Sequence, residues 1–273
     1  MEPTPALLIA VAVVALVCEY VDASVGMGYG TALTPLLLVM GLAAIDIVPA
    51  VLIGQLAGGL VGSIAHHKLG NIHLDFRRDD RLVKERLRGL GYLPKSFDSK
   101  VIFVLATCGV AGALIGVFTA VNISELVLET YIGVLVLAIG LFVLIRGNRR
   151  GSFSWKGLVG VGIVSAFNKG VSGGGYGPLV TGGQIVSGRG TRRSVGSTTV
   201  AEVIVCLVGF IGYIAMRGSV LWSLAAAVTV GSVVAAPFAA LTVKRISSGT
   251  LVYIIGATTL LLGLSTLVRT YAF

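Results

Sequence analysis

Two glycine-rich stretches, Gly26-Met27-Gly28-Tyr29-Gly30 and Gly173-Gly174-Gly175-Tyr176-Gly177, each interrupt a long apolar run of this 273-residue chain, 147 positions apart. A glycine in a helix interior costs roughly 1 kcal/mol relative to alanine, so three within five residues break a helix. The repetition predicts two internal repeats, each with a broken helix. Broken helices at corresponding positions of two repeats are the best sequence indication of the binding site of a secondary transporter.

The same offset aligns further positions of the two halves without a gap. The aligned pairs are Tyr20 with Phe167, Asp22 with Lys169, Thr34 with Thr181, Gly41 with Gly188, and Gln55 with Glu202. The later apolar runs also match in their glycines. We therefore predict a first repeat over residues 1–146 and a second over 147–273, within one membrane domain. A basic insertion at 66–100 is present only in the first repeat.

The composition is that of an integral membrane protein. The chain is 55% hydrophobic and only 12% charged, with a mean hydropathy of +0.95, and soluble domains carry about twice that charge density. The net charge of +9 lies mainly in loops, where the excess of basic residues on the cytoplasmic side explains it better than nucleic-acid binding does. We expect the basic loops, the insertion above all, to contact anionic lipid headgroups.

Apolar runs of about 20 residues predict six membrane-crossing helices. They cover residues 47–65, 101–120, 126–145, 194–215, 221–242 and 250–268. The glycine-broken segments, 6–40 and 156–187, are either kinked crossings, which makes eight in all, or re-entrant hairpins. With hairpins, 18 of the 21 Lys and Arg residues fall on one side, against 15 with eight crossings. The positive-inside rule thus favours hairpins. The predicted fold is an all-α polytopic protein of two inverted repeats, each a broken segment plus three crossings, with basic loops in the cytoplasm.

Cysteine and histidine patterns do not indicate a metal or cofactor. The three cysteines, Cys18, Cys108 and Cys206, lie in apolar runs without a Cys-x-x-Cys motif, which is typical of buried small side chains. The histidines cluster at one membrane edge, at His66, His67 and His73, without zinc-ligand spacing. We expect no cofactor.

Few polar side chains occur within the apolar segments, and such residues usually face a bundle interior or a watery cavity. Asp22 and Lys169 precede the two breaks at equivalent positions. They form either a structural ion pair between the breaks or an anion-attracting lysine with a counter-charge.

Gln55 and Glu202 are a second matched pair, and Thr198 and Thr199 lie close to Glu202 on the same predicted helix. Glu202 is the candidate proton carrier for coupled transport, or else a residue that holds helices together. Glu19 ranks lower because its counterpart in the second repeat is an alanine.

The breaks suit a small anion. A new half-helix begins after each glycine run, so free amides and the positive end of a helix dipole point at the break. Glycine lets a ligand approach the backbone, and serine, asparagine and lysine side chains add donors. The predicted binding residues are Ser24, Gly26, Gly28, Tyr29, Asn168, Lys169, Ser172, Gly173, Gly174, Gly175 and Tyr176. The predicted coupling residues are Asp22, Gln55, Thr198, Thr199 and Glu202.

The chain resembles the TauE/SafE sulfite exporter family. The resemblance rests on residues 19–30 (EYVDASVGMGYG), on residues 168–178 (NKGVSGGGYGP) and on the tandem halves, and it covers essentially the whole chain apart from the insertion. It implies a permease that moves sulfite or related organosulfur anions, mostly outward, with the family's glycine-serine signature at 172–175. Alternatives are an anion channel of the same architecture and a transporter of another small carboxylate or oxyanion. An enzyme is disfavoured because no histidine lies in mid-span to serve as a base.

Overall fold

A computed structural model describes residues 3–26, 28–75, 96–146, 153–243 and 248–272. These residues form ten α-helices and no strand: α1 (Pro5–Val25), α2 (Tyr29–Val39), α3 (Ala44–Lys68), α4 (Phe97–Asn122), α5 (Glu125–Arg146), α6 (Trp155–Ser172), α7 (Tyr176–Val186), α8 (Thr191–Arg217), α9 (Trp222–Thr242) and α10 (Ser248–Ala272). The predicted all-α fold is confirmed, and each of the six predicted crossings coincides with a helix. Most of the basic insertion, at 76–95, lies outside the described residues.

Length and hydropathy identify six helices of the described chain that are able to cross a bilayer. Five of them are α3, α4, α5, α8 and α9, and the sixth is α1. The first arm of the broken segment is therefore itself about as long as the hydrocarbon core is thick, near 30 Å. The second arms, α2 and α7, have 11 residues each.

Local sequence explains where the broken segments begin and end. Thr4 and Ser154 cap α1 and α6 by accepting hydrogen bonds from the amides of Leu7 and Gly157, each at 3.3 Å. Gly26 and Gly173 end the same helices in the left-handed conformation, with φ of 75° and 71°.

Helix packing follows the internal repeat. On one side of the bundle α1 packs on α9 and α9 packs on α3. On the other side α6 packs on α4 and α4 packs on α8. The pairs α3–α8 and α5–α10 join equivalent helices of the two repeats. These contacts join the two repeats, and each of α1–α9 and α9–α3 has its counterpart in α6–α4 and α4–α8, as expected for two copies related by an approximate two-fold axis.

Glycines allow the closest of these contacts. A Cβ on Gly231 of α9 would lie 2.2 Å from the Ala12 carbonyl oxygen of α1. Likewise, a Cβ on Gly112 or Gly116 of α4 would lie 2.4 or 2.3 Å from a carbonyl oxygen of α6. These small residues therefore let the helix backbones approach each other closely.

Polar contacts between helix termini define the two ends of the bundle. At the first, which we call the terminal end, Arg217 binds Asp46 at 2.7 Å and Thr270 binds Glu129 at 3.1 Å. At the opposite one, the insertion end, Arg189 binds Asp98. Helices α3, α4, α5, α8, α9 and α10 run from one end to the other.

The two broken segments start from opposite ends. Helix α1 runs parallel to α9, so Pro5 lies at the terminal end, and the chain returns there at Ala44, whose amide donates to Glu125 at 2.5 Å. Helix α6 starts at the insertion end, where Trp155 packs on Phe97 with ring centroids 5.5 Å apart. After α7 the chain is again at the insertion end, where Arg189 binds Asp98.

Candidate functional site

The two glycine breaks have the same backbone geometry. In each, the glycine that ends the first helix and the glycine that precedes the second have positive φ angles. These angles are 75° at Gly26 and 136° at Gly28, and 71° at Gly173 and 82° at Gly175. Residues other than glycine rarely adopt such backbone angles. The glycines that recur 147 positions apart therefore reverse the direction of the chain in both repeats.

The breaks touch each other backbone to backbone at the centre of the bundle. A Cβ on Gly30 would lie 1.7 Å from the Gly173 carbonyl oxygen, and a Cβ on Gly174 would lie 2.8 Å from the Gly30 carbonyl carbon. The amide of Gly175 donates to Thr31 Oγ1 at 3.1 Å, and Thr34 Oγ1 donates to the Ser172 carbonyl at 3.0 Å. Neither threonine was among the predicted site residues, although Thr34 aligns with Thr181 of the second repeat.

The predicted serine and asparagine donors are engaged within the protein. Ser24 Oγ donates to the Ala239 carbonyl at 3.5 Å. Ser172 Oγ donates to the Asn168 carbonyl at 2.8 Å and accepts from the Gly174 amide at 3.1 Å. Asn168 Oδ1 accepts a hydrogen bond from Tyr131. Ser172 thus stabilises the turn of its own break, whereas Ser24 and Asn168 connect their helices to α9 and α5.

The two tyrosines that follow the breaks are buried but differ in their partners. The Tyr29 hydroxyl lies 2.6 Å from Ser232 Oγ. The Tyr176 hydroxyl has no hydrogen-bond partner, and its ring packs among apolar residues of α4 and α8 such as Leu105 and Val205.

The ionisable residues pair within each repeat. Lys169 Nζ lies 2.8 Å from Glu202 Oε1, and both side chains are almost fully buried. Gln55 Nε2 donates to Asp22 Oδ2 at 2.9 Å. The alternative of a direct Asp22–Lys169 ion pair is therefore wrong, because Asp22 has its partner on α3 and Lys169 has its partner on α8.

Asp22, in the last turn of α1, lies beside the start of α2. Its carboxylate lies near the backbone amides of Gly28 and Tyr29, and a Cβ on Gly177 of the other break would lie 3.2 Å from its Oδ1. The chain's own carboxylate therefore lies beside the amides that were predicted to be free at the first break. At the second break the equivalent residue is Lys169, a cation, so α7 has no carboxylate from this position.

Thr198 and Thr199 separate in the structure. Thr198 Oγ1 accepts from Gln184 Nε2 at 2.9 Å, which joins it to the polar network of the insertion end. Thr199 Oγ1 donates to the Val195 carbonyl of its own helix at 3.1 Å.

The network of the insertion end was not predicted. Arg189 binds Asp98, Gln184 and Ser197 and stacks over the Phe97 ring at 5.2 Å. Its burial lowers the pKa of the guanidinium below its usual value, while the Asp98 carboxylate opposes this change. Sequence spacing could not identify this group because its members come from three helices and a loop.

Glu19 is the acidic residue that the repeat comparison ranked lower than the others. It is 0% exposed, and neither carboxylate oxygen has a hydrogen-bond partner. Its signal in the sequence was a charge in the middle of an apolar run, which is informative with or without a polar counterpart.

The described residues contain no group of three His, Cys, Asp or Glu side chains placed to hold a metal ion. The three cysteines are unpaired thiols. The chemistry available at the breaks is therefore that of one ammonium, three carboxylates, hydroxyls and backbone amides.

The breaks are closed from both ends. All predicted site residues with an assigned exposure are buried, and the ionisable ones are at most 6% exposed. A surface cavity of about 410 Å³ lies instead at the terminal end, lined by Ile45, Phe118, Val121, Asn122, Met216 and Arg217. The conformation is occluded, so a solute reaches the breaks only after helices move.

Comparisons with known proteins agree with the architecture. The family model described as "Sulfite exporter TauE/SafE" matches residues 88–266. A protein of Bacillus subtilis (strain 168), described as "Probable membrane transporter protein YtnM", is 24% identical over 275 residues, covering 96% of this chain and 83% of that protein. No solved structure matches.

Proposed function

We propose, from the chain's membership of the TauE/SafE sulfite exporter family, that it exports a small sulfur-containing oxyanion such as sulfite or an organosulfonate. The family and the relative make the chain a membrane transporter, and its apolar helices make it a multi-pass one. The observation that carries the finer proposal is the buried Lys169–Glu202 ion pair next to the second glycine break.

The anion binds at the second break in this proposal. Asp22 already neutralises the positive end of α2, whereas Lys169 adds a positive charge beside the start of α7. A helix N-terminus stabilises a nearby negative charge by about 0.3–2 kcal/mol. A lysine in surroundings with little water adds more, because charges interact more strongly at a low dielectric constant. To bind the solute, Lys169 exchanges its contact with Glu202 for one with the anion.

The walls of the second break favour a compact solute. A Cβ added to Gly175 would lie 3.2 Å from Ile139 Cδ1 and 3.3 Å from Asn168 Cβ. A Cβ on Gly173 would lie 3.1 Å from Val51 Cγ1. Contacts this short leave little room beside the backbone, so a tetrahedral or pyramidal oxyanion fits better than a bulky organic anion.

The ends of the bundle suggest how access alternates. The Asp98–Arg189 pair closes the insertion end and is nearly inaccessible, with side-chain exposures of 4% and 7%. The Asp46–Arg217 pair at the terminal end is looser, with exposures of 33% and 27%. We infer that the two repeats are inverted in the membrane, so that the hairpins swing apart at one end while the other end stays closed.

The membrane orientation follows from charge. The described chain at the insertion end includes Arg189 and Arg192 and, in the sequence, leads into the basic segments 66–100 and 146–156, so we place this end in the cytoplasm of the cell, facing anionic headgroups. Export then carries the anion from the insertion end to the terminal end.

A channel is the second candidate, and the occluded breaks count against it. A channel needs a continuous water-filled path in its conducting state, whereas a carrier closes around its solute at least once per cycle. The ion pairs at both ends, of which Asp98–Arg189 is nearly inaccessible, fit closure of this kind. A transporter of another small carboxylate or oxyanion would use the same charges, so only substrate competition separates it from a sulfite exporter.

Efflux of radiolabelled sulfite from proteoliposomes tests the function. Wild-type protein is expected to release sulfite and to accelerate exchange when sulfite is also present outside. Lys169→Ala is expected to lower the rate at least tenfold, while the matched change Lys156→Ala, at an exposed position of the same helix, should leave it near wild type. Equal rates for the two variants would remove Lys169 from the site. Flux that never produces uphill counterflow would favour the channel.

A further inference from the structure

Glu19 lies in α1 one helical turn before Asp22, on the side that faces the centre of the bundle. It is fully buried, and neither of its carboxylate oxygens has a hydrogen-bond partner. The two nearby carboxylates, in contrast, have partners. Asp22 accepts a hydrogen bond from Gln55, and Glu202 forms an ion pair with Lys169. Gly58 of α3 provides the space for this side chain, since a Cβ there would lie 3.1 Å from Glu19 Cδ.

The groups around Glu19 leave its charge uncompensated. It interacts electrostatically with Asp22 of its own helix, with Glu202 of α8 and with Lys169 of α6. Its uncharged titratable neighbours are Cys18 of α1, Tyr29 of α2 and Cys206 of α8. Helices α3 and α9 face this region with Gly58 and Ser232. Three ionised carboxylates would thus share one ammonium group.

Such an excess of buried negative charge is unstable. An unpaired ion away from water carries a penalty of several kcal/mol, and a carboxyl group avoids it by taking up a proton. The charge of Glu202 is offset by its ion pair with Lys169, and that of Asp22 by the hydrogen bond from Gln55. Glu19 has no such support, so it holds the proton while the core is closed from water.

We propose that Glu19 is the proton-binding residue of the transport cycle and that its proton crosses the membrane together with the anion. This inference rests on the proposed function. A bound anion adds negative charge to a core that already has an excess of it, so the anion binds better when Glu19 is protonated. By linkage, the proton is held equally more tightly when the anion is bound. When the core opens to water at one end, both leave.

A flux experiment separates the proton from the anion. Proteoliposomes with an acidic exterior should take up radiolabelled sulfite several-fold faster than vesicles without a pH gradient, and linkage of one proton limits the effect to about tenfold per pH unit. Glu19→Gln, which is permanently neutral, should lose this stimulation but keep sulfite counterflow, which needs no net proton movement. The matched variant Glu129→Gln at the terminal end should keep both. Sulfite also takes up a proton near neutral pH, and this contribution is common to all variants.

If an acidic exterior still stimulates sulfite uptake by Glu19→Gln, the inference is overturned. It is also overturned if a folded Glu19→Gln variant loses sulfite counterflow as well as this stimulation. Infrared spectroscopy of the solubilised protein without sulfite gives an independent result. We expect the carbonyl band of a protonated carboxylic acid at neutral pH, absent in Glu19→Gln. If that variant does not fold, ¹³C-labelled glutamate in the wild type assigns the band, and its absence refutes the protonated state. Wild-type protein that carries no sulfite would contradict the proposed substrate, and the infrared band would still decide for or against Glu19.

Discussion

Replacing Gly30 by alanine tests the contact between the two breaks directly. The new Cβ would lie 1.7 Å from the Gly173 carbonyl oxygen and 2.9 Å from Gly174 Cα. Normal contact needs more than 3 Å, so the hairpins must separate by roughly 1.5 Å, and both obstructing groups are backbone atoms that cannot turn aside. Overpacking of this kind costs about 1–3 kcal/mol, and the rigidity of the obstacle places Gly30→Ala at the upper limit. Gly30 has no positive φ angle, so the effect is steric alone.

The matched control is Gly160→Ala on α6, where an added Cβ meets nothing within 4 Å. Thermal unfolding in detergent and sulfite efflux should both be measured. We expect Gly30→Ala to lower the unfolding midpoint by about 6–12 °C and to lower efflux at least tenfold, while Gly160→Ala matches or exceeds the wild-type midpoint. If Gly30→Ala behaves like Gly160→Ala in both assays, the two breaks do not meet in the protein.

Three further predictions concern charge and orientation. Glu202→Gln should lower the free energy of unfolding by about 3–5 kcal/mol, because it leaves the buried Lys169 ammonium unpaired. Adding Lys169→Met should recover most of this loss in a double-mutant cycle. Additive effects of the two changes would contradict the pairing. Arg189→Ala should speed hydrogen exchange at residues 194–199, because it removes the network that closes the insertion end; unchanged protection would show that the end is held shut by other contacts. Ser219→Cys, in a background without the native cysteines, should react with a membrane-impermeant thiol reagent in intact cells; reaction only in inside-out vesicles would reverse the proposed orientation.

Much of the fold could be predicted from the sequence because its determinants are local in the chain. A run of about 20 apolar residues must form a helix in a bilayer, since no water is available there for unpaired backbone groups. The breaks could be placed to the residue, at Gly26 to Gly28 and Gly173 to Gly175, because closely spaced glycines disfavour a continuous helix. The offset of 147 positions then predicted which helices are equivalent.

The partners of the polar side chains could not be predicted in the same way. Periodicity indicates which face of a helix is apolar, but the tilt and depth of neighbouring helices decide which atoms meet. Lys169 therefore pairs with Glu202 rather than with Asp22, the partner that the repeat alignment had offered.

The sequence by itself determined that this is a helical membrane protein of two repeats, each broken at one glycine-rich point, because hydrophobic length and glycine spacing act within a single segment. Only the tertiary structure decided that Asp22 accepts a hydrogen bond from Gln55 and that Glu19 is left without a partner. Those outcomes depend on the distances between helices that are far apart in the chain, and a charge in a medium of low dielectric constant is governed by its nearest neighbours in space.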